Sequence, residues 1–67
     1  MTGSGNHAPE EVYFEFTPVG NVVKVAAIHA ATGTEVSVLG PASASQSDLQ
    51  GLALRKLKAR LQALAKR

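Results

Sequence analysis

Side chains that could carry out acid–base or nucleophilic chemistry are few and scattered in this sequence. Its two histidines are His7 and His29, and it has no cysteine. A serine nucleophile needs a base within hydrogen-bond reach and a third group that orients this base. The serines instead cluster where helix caps and linkers favour serine; they are Ser4, Ser37, Ser43, Ser45 and Ser47. We therefore predict no catalytic residues.

Carboxylates and metal ligands offer no better candidate for an active site. Glu11, Glu15 and Glu35 share the outward face of a predicted sheet, and a three-stranded sheet offers no pocket that would raise a carboxylate pKa. Two histidines without thiols or a local cluster are too few for a zinc site. The "GSG" of residues 3–5 neither follows a strand nor opens a helix, so it does not predict a phosphate loop. The sequence predicts neither an enzyme nor a cofactor or metal site.

The strongest functional signal is a basic segment, "LALRKLKARLQALAKR", at residues 52–67. It holds six of the seven basic side chains and no acid, whereas residues 1–50 hold five acids and one base. Such a segment could neutralise phosphates with an affinity that falls with salt. The candidate polyanion-binding residues are Arg55, Lys56, Lys58, Arg60, Lys66 and Arg67. Because Lys and Arg also simply keep a helix hydrated, nucleic-acid binding is the alternative function and not the preferred one.

Alternating hydrophobic residues predict three β-strands. In "EVYFEFT" (11–17), Val12, Phe14 and Phe16 share one face. The strands "VVKVAAIHA" (22–30) and "EVSVLG" (35–40) follow the turn segments "PVGN" and "ATGT". Because the connections between successive strands are short, we expect an antiparallel meander.

In the second of these strands, the sequence does not decide on which face of the sheet Ile28 lies. Ile28 does not share the parity of Val23 and Val25. A β-bulge near Ala26–Ala27 would turn Ile28 toward the core, at the cost of one unpaired residue. Without a bulge, Ile28 joins Val22 on the opposite face, and both faces of the sheet carry apolar groups.

Leucine spacing predicts a helix over about residues 46–65. Ser45 with Asp48, or Ser47 with Gln50, could form its N-cap. Leucines recur on one arc of the helical wheel, which is wide enough to cover a three-stranded sheet. The sequence thus predicts an α+β domain of βββα order: a three-stranded antiparallel meander followed by one C-terminal amphipathic helix. The predicted core is Val12, Phe14, Phe16, Val23, Val25, Ile28, Val36, Val38, Leu49, Ala53, Leu57, Leu61 and Leu64.

Apolar residues left outside this core indicate an interaction surface. One set lies on the sheet face opposite the helix, and a second forms a small stripe on the helix. These candidate self-association residues are Tyr13, Val22 and Leu39, then Leu52, Ala59 and Ala63. A chain of 67 residues without disulfides gains stability from a partner subunit. We therefore predict a non-enzymatic interaction module that forms a homodimer or binds another protein.

The length of the chain bounds the remaining possibilities. We expect a flexible tail over residues 1–10, which are small and polar, and a single domain over residues 11–67. The longest apolar run, 25–31, is too short to cross a bilayer and is interrupted by His29. Residues 1–10 lack the features of a signal peptide. These observations predict a cytoplasmic protein without a membrane partner.

Several pieces of the sequence resemble a family of short uncharacterised bacterial proteins, a domain of unknown function. The pieces are "EVY" (11–13), "GN" (20–21) with "VKV" (23–25), "AATGTEV" (30–36), "GP" (40–41) and "ALRKL" (53–57). Together they cover nearly everything except the tail. The resemblance brings no catalytic residues with it.

Members of the resembling family are sometimes labelled automatically as serine hydroxymethyltransferase. A pyridoxal-phosphate enzyme needs a Schiff-base lysine, a phosphate site and a walled cavity. Lys24, the only lysine before the basic segment, lies in the middle of a predicted strand. A domain of this size cannot enclose the cofactor, so that label does not fit a working enzyme here.

Overall fold

The computed structural model describes residues 11–66 and has the predicted α+β architecture. Strands β1 (Val12–Val19), β2 (Val22–His29) and β3 (Glu35–Pro41) precede a helix, α1 (Gln46–Ala65). The sheet has the order β1-β2-β3, with both pairs antiparallel. The βββα prediction is therefore confirmed. The predicted flexible tail (1–10), His7 and Arg67 lie outside the described residues.

The β1–β2 hairpin is tighter than the sequence suggested. Val19 pairs directly with Val22, so Gly20 and Asn21 alone form the loop. Gly20 has a φ of 62°, and a positive φ at the first of two loop residues is what a type II′ turn requires. The strand continues through Pro18, which was predicted to lie in the turn. β1 is an edge strand, where a missing N–H is tolerated.

The β1–β2 ladder has no bulge, so the predicted core position of Ile28 is wrong. Pairing is continuous from Val12 opposite His29 to Val19 opposite Val22, and it places Ile28 opposite Tyr13 on the face away from the helix. The space that Ile28 was expected to fill is taken by Ala27, which is fully buried against the helix. The alternative without a bulge is therefore the observed one.

The β2–β3 connection is held together by side-chain and main-chain hydrogen bonds. His29 Nδ1 lies 2.9 Å from Thr32 Oγ1, which lies 2.8 Å from Thr34 Oγ1. The N–H of Gly33 donates to the C=O of His29 at 2.8 Å, and Gly33 has a φ of 72°. His29 therefore has a structural partner within its own turn.

Helix α1 begins with one of the two caps that the sequence left open. The side chain of Ser45 accepts a hydrogen bond from the N–H of Asp48 at 3.3 Å. Asp48 lies in the first turn, where a carboxylate favours the positive end of the helix dipole. In the part of the chain that the structure describes, this helix is not apolar enough to cross a membrane.

The core lies between the helix and the inner face of the sheet. Its buried members are Val25, Ala27, Leu49, Ala53 and Leu57, and the partly buried residues around them include Val12, Phe14, Phe16, Val23, Val36, Val38, Ala44 and Leu61. Leu64 was predicted to belong to the core but is 42% exposed. Twenty helical residues span about 30 Å, whereas the seven residues of β3 span only about 23 Å. The end of the helix therefore extends past the sheet.

Candidate interaction surfaces

The helix packs mainly against β2 and β3 and covers the inner side of β1 only in part. The side chains of Val12, Phe14 and Phe16 point toward the helix but are only half-buried. Two hollows lie between β1 and α1 as a result. Their apolar linings include Phe14, Leu54 and Leu61 in one hollow, and Phe16, Val23 and Leu49 in the other.

The opposite face of the sheet, which we call the open face, carries three of the candidate self-association residues. Val22 and Leu39 lie near one end of it, and Leu39 is 71% exposed. Val19 lies beside Val22 at 59% exposure; the sequence missed it because it was predicted to belong to a turn. Tyr13 lies opposite Ile28, and the six residues from there to Val22 correspond to roughly 20 Å along the strand. The candidates on this face therefore form two separate clusters.

Tyr13 interacts with a neighbour on its own strand. Glu11 lies two residues before it and therefore projects on the same face. The pKa of Tyr13 is raised above 10.0, first by a hydrogen bond to the Glu11 side chain and then by the negative charge of that carboxylate. Tyr13 is half-exposed at the end of the open face, with its phenol directed to Glu11.

The helical candidates lie apart from the sheet face. Leu52 is 44% exposed, and Ala59 and Ala63 are exposed as well. The stripe extends over about 16 Å of the helix axis, at 1.5 Å per residue. Its large apolar member is Leu52 alone. This stripe is therefore a weaker contact surface than the open face.

The basic candidates do not converge on one surface. Lys56 donates through Nζ to the main-chain oxygen of Ser37 at 2.7 Å, so it is committed to the sheet. Lys58 lies beside the hollow at β1. Arg55, Arg60 and Lys66 are exposed at different angles around the helix. The structure thus brings together no continuous basic stripe among the described bases.

The main-chain groups at the two edges of the sheet can be assigned from a few hydrogen bonds. In antiparallel ladders, every second residue of an edge strand turns its N–H and C=O away from its neighbour. The N–H of Ala30 donates to the C=O of Glu11 at 3.0 Å, and the N–H of His29 donates to Thr34 at 2.8 Å. These two bonds establish which residues of each edge strand turn their main-chain groups outward. The outward residues are 12, 14, 16 and 18 on β1, and 35, 37, 39 and 41 on β3.

The outer edge of β3 is interrupted at two of its outward oxygens and at one missing donor. The C=O of Ser37 accepts from Lys56, the C=O of Pro41 accepts from the N–H of Ala44 at 3.0 Å, and Pro41 has no N–H. On β1, only Pro18 lacks a donor. Among residues 11–66, no other group bonds the outward main-chain atoms of Val12, Phe14 and Phe16. β1 is therefore the more open edge.

Catalytic or metal-binding geometry is not seen in residues 11–66. No three of their His, Asp and Glu side chains gather into a potential metal site. The three glutamates share the open face, as expected: Glu11 and Glu15 alternate with the inward residues of β1, and Glu35 lies opposite Ile28 on β2. All three are exposed.

A family model described as "Domain of unknown function (DUF6898)" matches residues 9–66, which include the whole sheet and the helix. The chain belongs to this family. The resemblance to an uncharacterised family is thereby confirmed, and the description assigns the DUF6898 domain no activity. No curated protein and no solved structure matches the chain.

Proposed function

We propose that this DUF6898 domain is a non-enzymatic protein-interaction module that works by self-association. One observation supports the proposal: large apolar side chains are more often exposed than buried among the described residues. Val25, Leu49 and Leu57 are buried. Tyr13, Val19, Leu39, Leu52 and Leu64 are between 42% and 71% exposed. Val19 and Leu39 lie with Val22 in one cluster of the open face, and a cluster of exposed apolar side chains on a small domain is typical of a protein contact.

The small core supplies a physical reason for a second copy. A domain of this size buries a smaller fraction of its surface on folding than a larger one does. Each square ångström of apolar surface that a partner covers contributes about 25 cal/mol. Most soluble oligomers are symmetric assemblies of identical chains, so a second copy is the partner that we propose first.

The oligomeric state tests this function directly. Multi-angle light scattering at tens of micromolar protein should give a mass near twice the 7.0 kDa of the chain. The mass should fall toward one chain on dilution. A constant single-chain mass over that range would contradict the proposal.

Matched charge substitutions then locate the contact. Leu39→Glu places a carboxylate on the open face, and Leu52→Glu places one on the helix stripe; both positions are exposed, so the fold should tolerate either change. Loss of the dimer in one variant alone assigns the contact to that surface. If both variants still form dimers, neither of these two surfaces is the contact, and the copies meet at a free edge of the sheet instead.

Nucleic-acid binding is the second candidate, because Arg55, Arg60 and Lys66 are exposed on a helix that has no acid after Asp48. The test is a titration with DNA and RNA at two salt concentrations. Phosphate neutralisation predicts an affinity that falls steeply with salt. Absence of binding at low salt would reject this candidate. Loss of binding in a charge-reversed Arg55→Glu variant, with Leu39→Glu as a control for added charge, would support it.

A further inference from the structure

We propose that two copies of this domain join edge to edge, by antiparallel pairing of β1 with β1 of the second copy, with Phe14 on the two-fold axis. Two three-stranded sheets would become one six-stranded sheet, with both helices on the same face. This inference rests on the proposed self-association and names the place where the copies meet.

The main-chain chemistry favours β1 over β3. β1 turns outward the N–H and C=O groups of Val12, Phe14 and Phe16, and an open row of this kind is a template for another strand. On β3, the oxygens of Ser37 and Pro41 are already occupied by Lys56 Nζ and the Ala44 N–H. The Lys56 ammonium reaches this edge from the helix, and a charge held at a sheet edge hinders pairing with another strand. The β3 edge is therefore interrupted at two acceptors and at Pro41, whereas the β1 edge lacks only the donor of Pro18.

The side chains on β1 also lack a complete cover. Val12, Phe14 and Phe16 point to the inner face and are half-buried, because the helix lies over β2 and β3. A strand added beside β1 would place further side chains over the same hollows. Edge pairing therefore satisfies main-chain groups and covers apolar groups at the same time.

The sequence of β1 is self-complementary in a single two-fold register. With Phe14 opposite Phe14 of the second copy, Val12 faces Phe16, Tyr13 faces Glu15, and Glu11 faces Thr17. All of residues 11–17 are then paired, and the pairing stops before Pro18. Aromatic and β-branched residues meet on the inner face, where such cross-strand pairs stabilise sheets. On the open face, Tyr13 lies opposite an acid rather than a like charge, and its O–H keeps the hydrogen bond to Glu11 of its own strand.

Neighbouring two-fold registers fail for identifiable reasons. Moving the two-fold axis from Phe14 to Glu15 puts Glu15 opposite Glu15 of the second copy. Moving the axis to Tyr13 puts Glu11 opposite Glu15. Like charges directly opposite each other destabilise a ladder. A shift that puts Phe16 on the axis pairs Phe14 with Pro18, which has no N–H to donate. This complementarity is the reason to propose a second copy rather than an unrelated strand.

Single-cysteine variants test the register, because the native chain has no cysteine. In the proposed dimer, Tyr13 and Glu15 of the second copy form a non-hydrogen-bonded pair with Cα atoms about 4.5 Å apart, within the range for a disulfide. Mixing Tyr13→Cys with Glu15→Cys under mild oxidation should give the mixed disulfide. Each variant alone should cross-link much more slowly, because the identical positions are diagonal neighbours at about 7–8 Å. Leu39→Cys and Leu52→Cys are exposed controls for the other two surfaces.

The outcomes separate this inference from the proposed function. Fast self-cross-linking of Glu15→Cys or of Tyr13→Cys would show a different register and overturn the inference. Fast cross-linking of Leu39→Cys or Leu52→Cys, with none in the mixture, would place the contact elsewhere and leave self-association standing. A chain that is monomeric by light scattering, including one whose β1 pairs only with a strand of another protein, would overturn both.

A main-chain substitution provides a second readout. The N–H of Val12 points to the free edge, so Val12→Pro should keep the β1–β2 ladder and remove one intermolecular donor from each copy. Val12→Ala is the matched control, because it trims the side chain but keeps the N–H. We expect Val12→Pro to dissociate about tenfold more readily than Val12→Ala. Equal dimer dissociation in the two variants, with folding confirmed by circular dichroism, would contradict edge pairing.

Discussion

Lys56 on the helix donates to the main-chain oxygen of Ser37 on β3, with 2.7 Å between Nζ and O. The contact joins two segments that are nineteen residues apart in the sequence. It does two things at once: it fixes the helix over the β3 side of the sheet, and it occupies an acceptor at the free edge of that strand. The difference between the two edges of the sheet follows in part from this one contact.

Replacing Lys56 by methionine should open the β3 edge. The free energy of unfolding should fall by no more than about 1 kcal/mol, because the hydrogen bond is exposed to water. Association should increase, because the Ser37 oxygen becomes available to another strand. Urea denaturation and light scattering measure the two effects. Arg55→Met, which removes an exposed base from the same helix away from both sheet edges, should not increase association; an equal increase in both variants would argue against edge protection.

Gly40→Ala should destabilise the domain by about 1–3 kcal/mol through overpacking. A Cβ at this position would overlap the side chain of Leu49, which is only 4% exposed and has little room to move. Gly51→Ala is the matched control. A Cβ there meets no neighbouring atom within 4 Å, and alanine is favoured over glycine in a helix by about 1 kcal/mol. Urea midpoints should therefore move in opposite directions, and a shared direction would count against the close packing of Gly40 on Leu49.

Ser45→Ala should lower the free energy of unfolding by about 1 kcal/mol, because the serine side chain caps the helix through the Asp48 N–H. Ser47→Ala should have a smaller effect, since Ser47 Oγ bonds Ser45 Oγ at 2.9 Å and makes no cap of its own. Thermal unfolding followed by circular dichroism compares the two variants. A larger loss for Ser47→Ala would show that the cap belongs to Ser47 instead.

The phenol of Tyr13 should titrate above its ordinary pKa of 10.0, and Glu11→Gln should bring that pKa down, because Glu11 is the main cause of the shift. Tyr13 is the only tyrosine, so phenolate absorbance reports it alone. A raised pKa in the folded state means that the contribution to stability is complete below pH 10 and is lost as the pH rises through the folded pKa. Glu15→Gln is the control and should change the pKa less. Equal shifts in both variants would contradict the assigned partner.

Periodicity was sufficient to predict the strands and the helix, but not the face of the sheet on which every residue lies. The strands and the helix follow from alternation and from leucine spacing, and the observed helix covers residues 46–65 as predicted. Ile28 was placed in the core because a large aliphatic residue was expected to be buried. Alternation alone would have placed it correctly, since Ala27 fills the inner position without a bulge.

The interaction surfaces were less predictable, because they depend on where the helix lies across the sheet. Nothing in the spacing of Lys56 indicates that it reaches Ser37, and nothing in the pattern of β1 shows that the helix covers this strand only in part. Leu64 was expected to be buried because it lies on the apolar arc of the helical wheel. It is exposed because the sheet ends before the helix does. Sequence patterns specify which side of an element is apolar, whereas the extent of the partner surface is a property of the assembled fold.

The sequential strand order has a kinetic consequence. Each strand pairs with the next strand in the chain through a short turn, so most of the sheet's contacts are local, and proteins rich in local contacts fold rapidly. The sheet by itself has no cover for Val25 and its neighbours, and the residues that bury them are the leucines of α1. During synthesis from the N-terminus, the three strands emerge first and must wait for the helix. Until α1 is made, the apolar inner face of the sheet and its β1 edge are exposed together, and a nascent chain in that state is prone to aggregate.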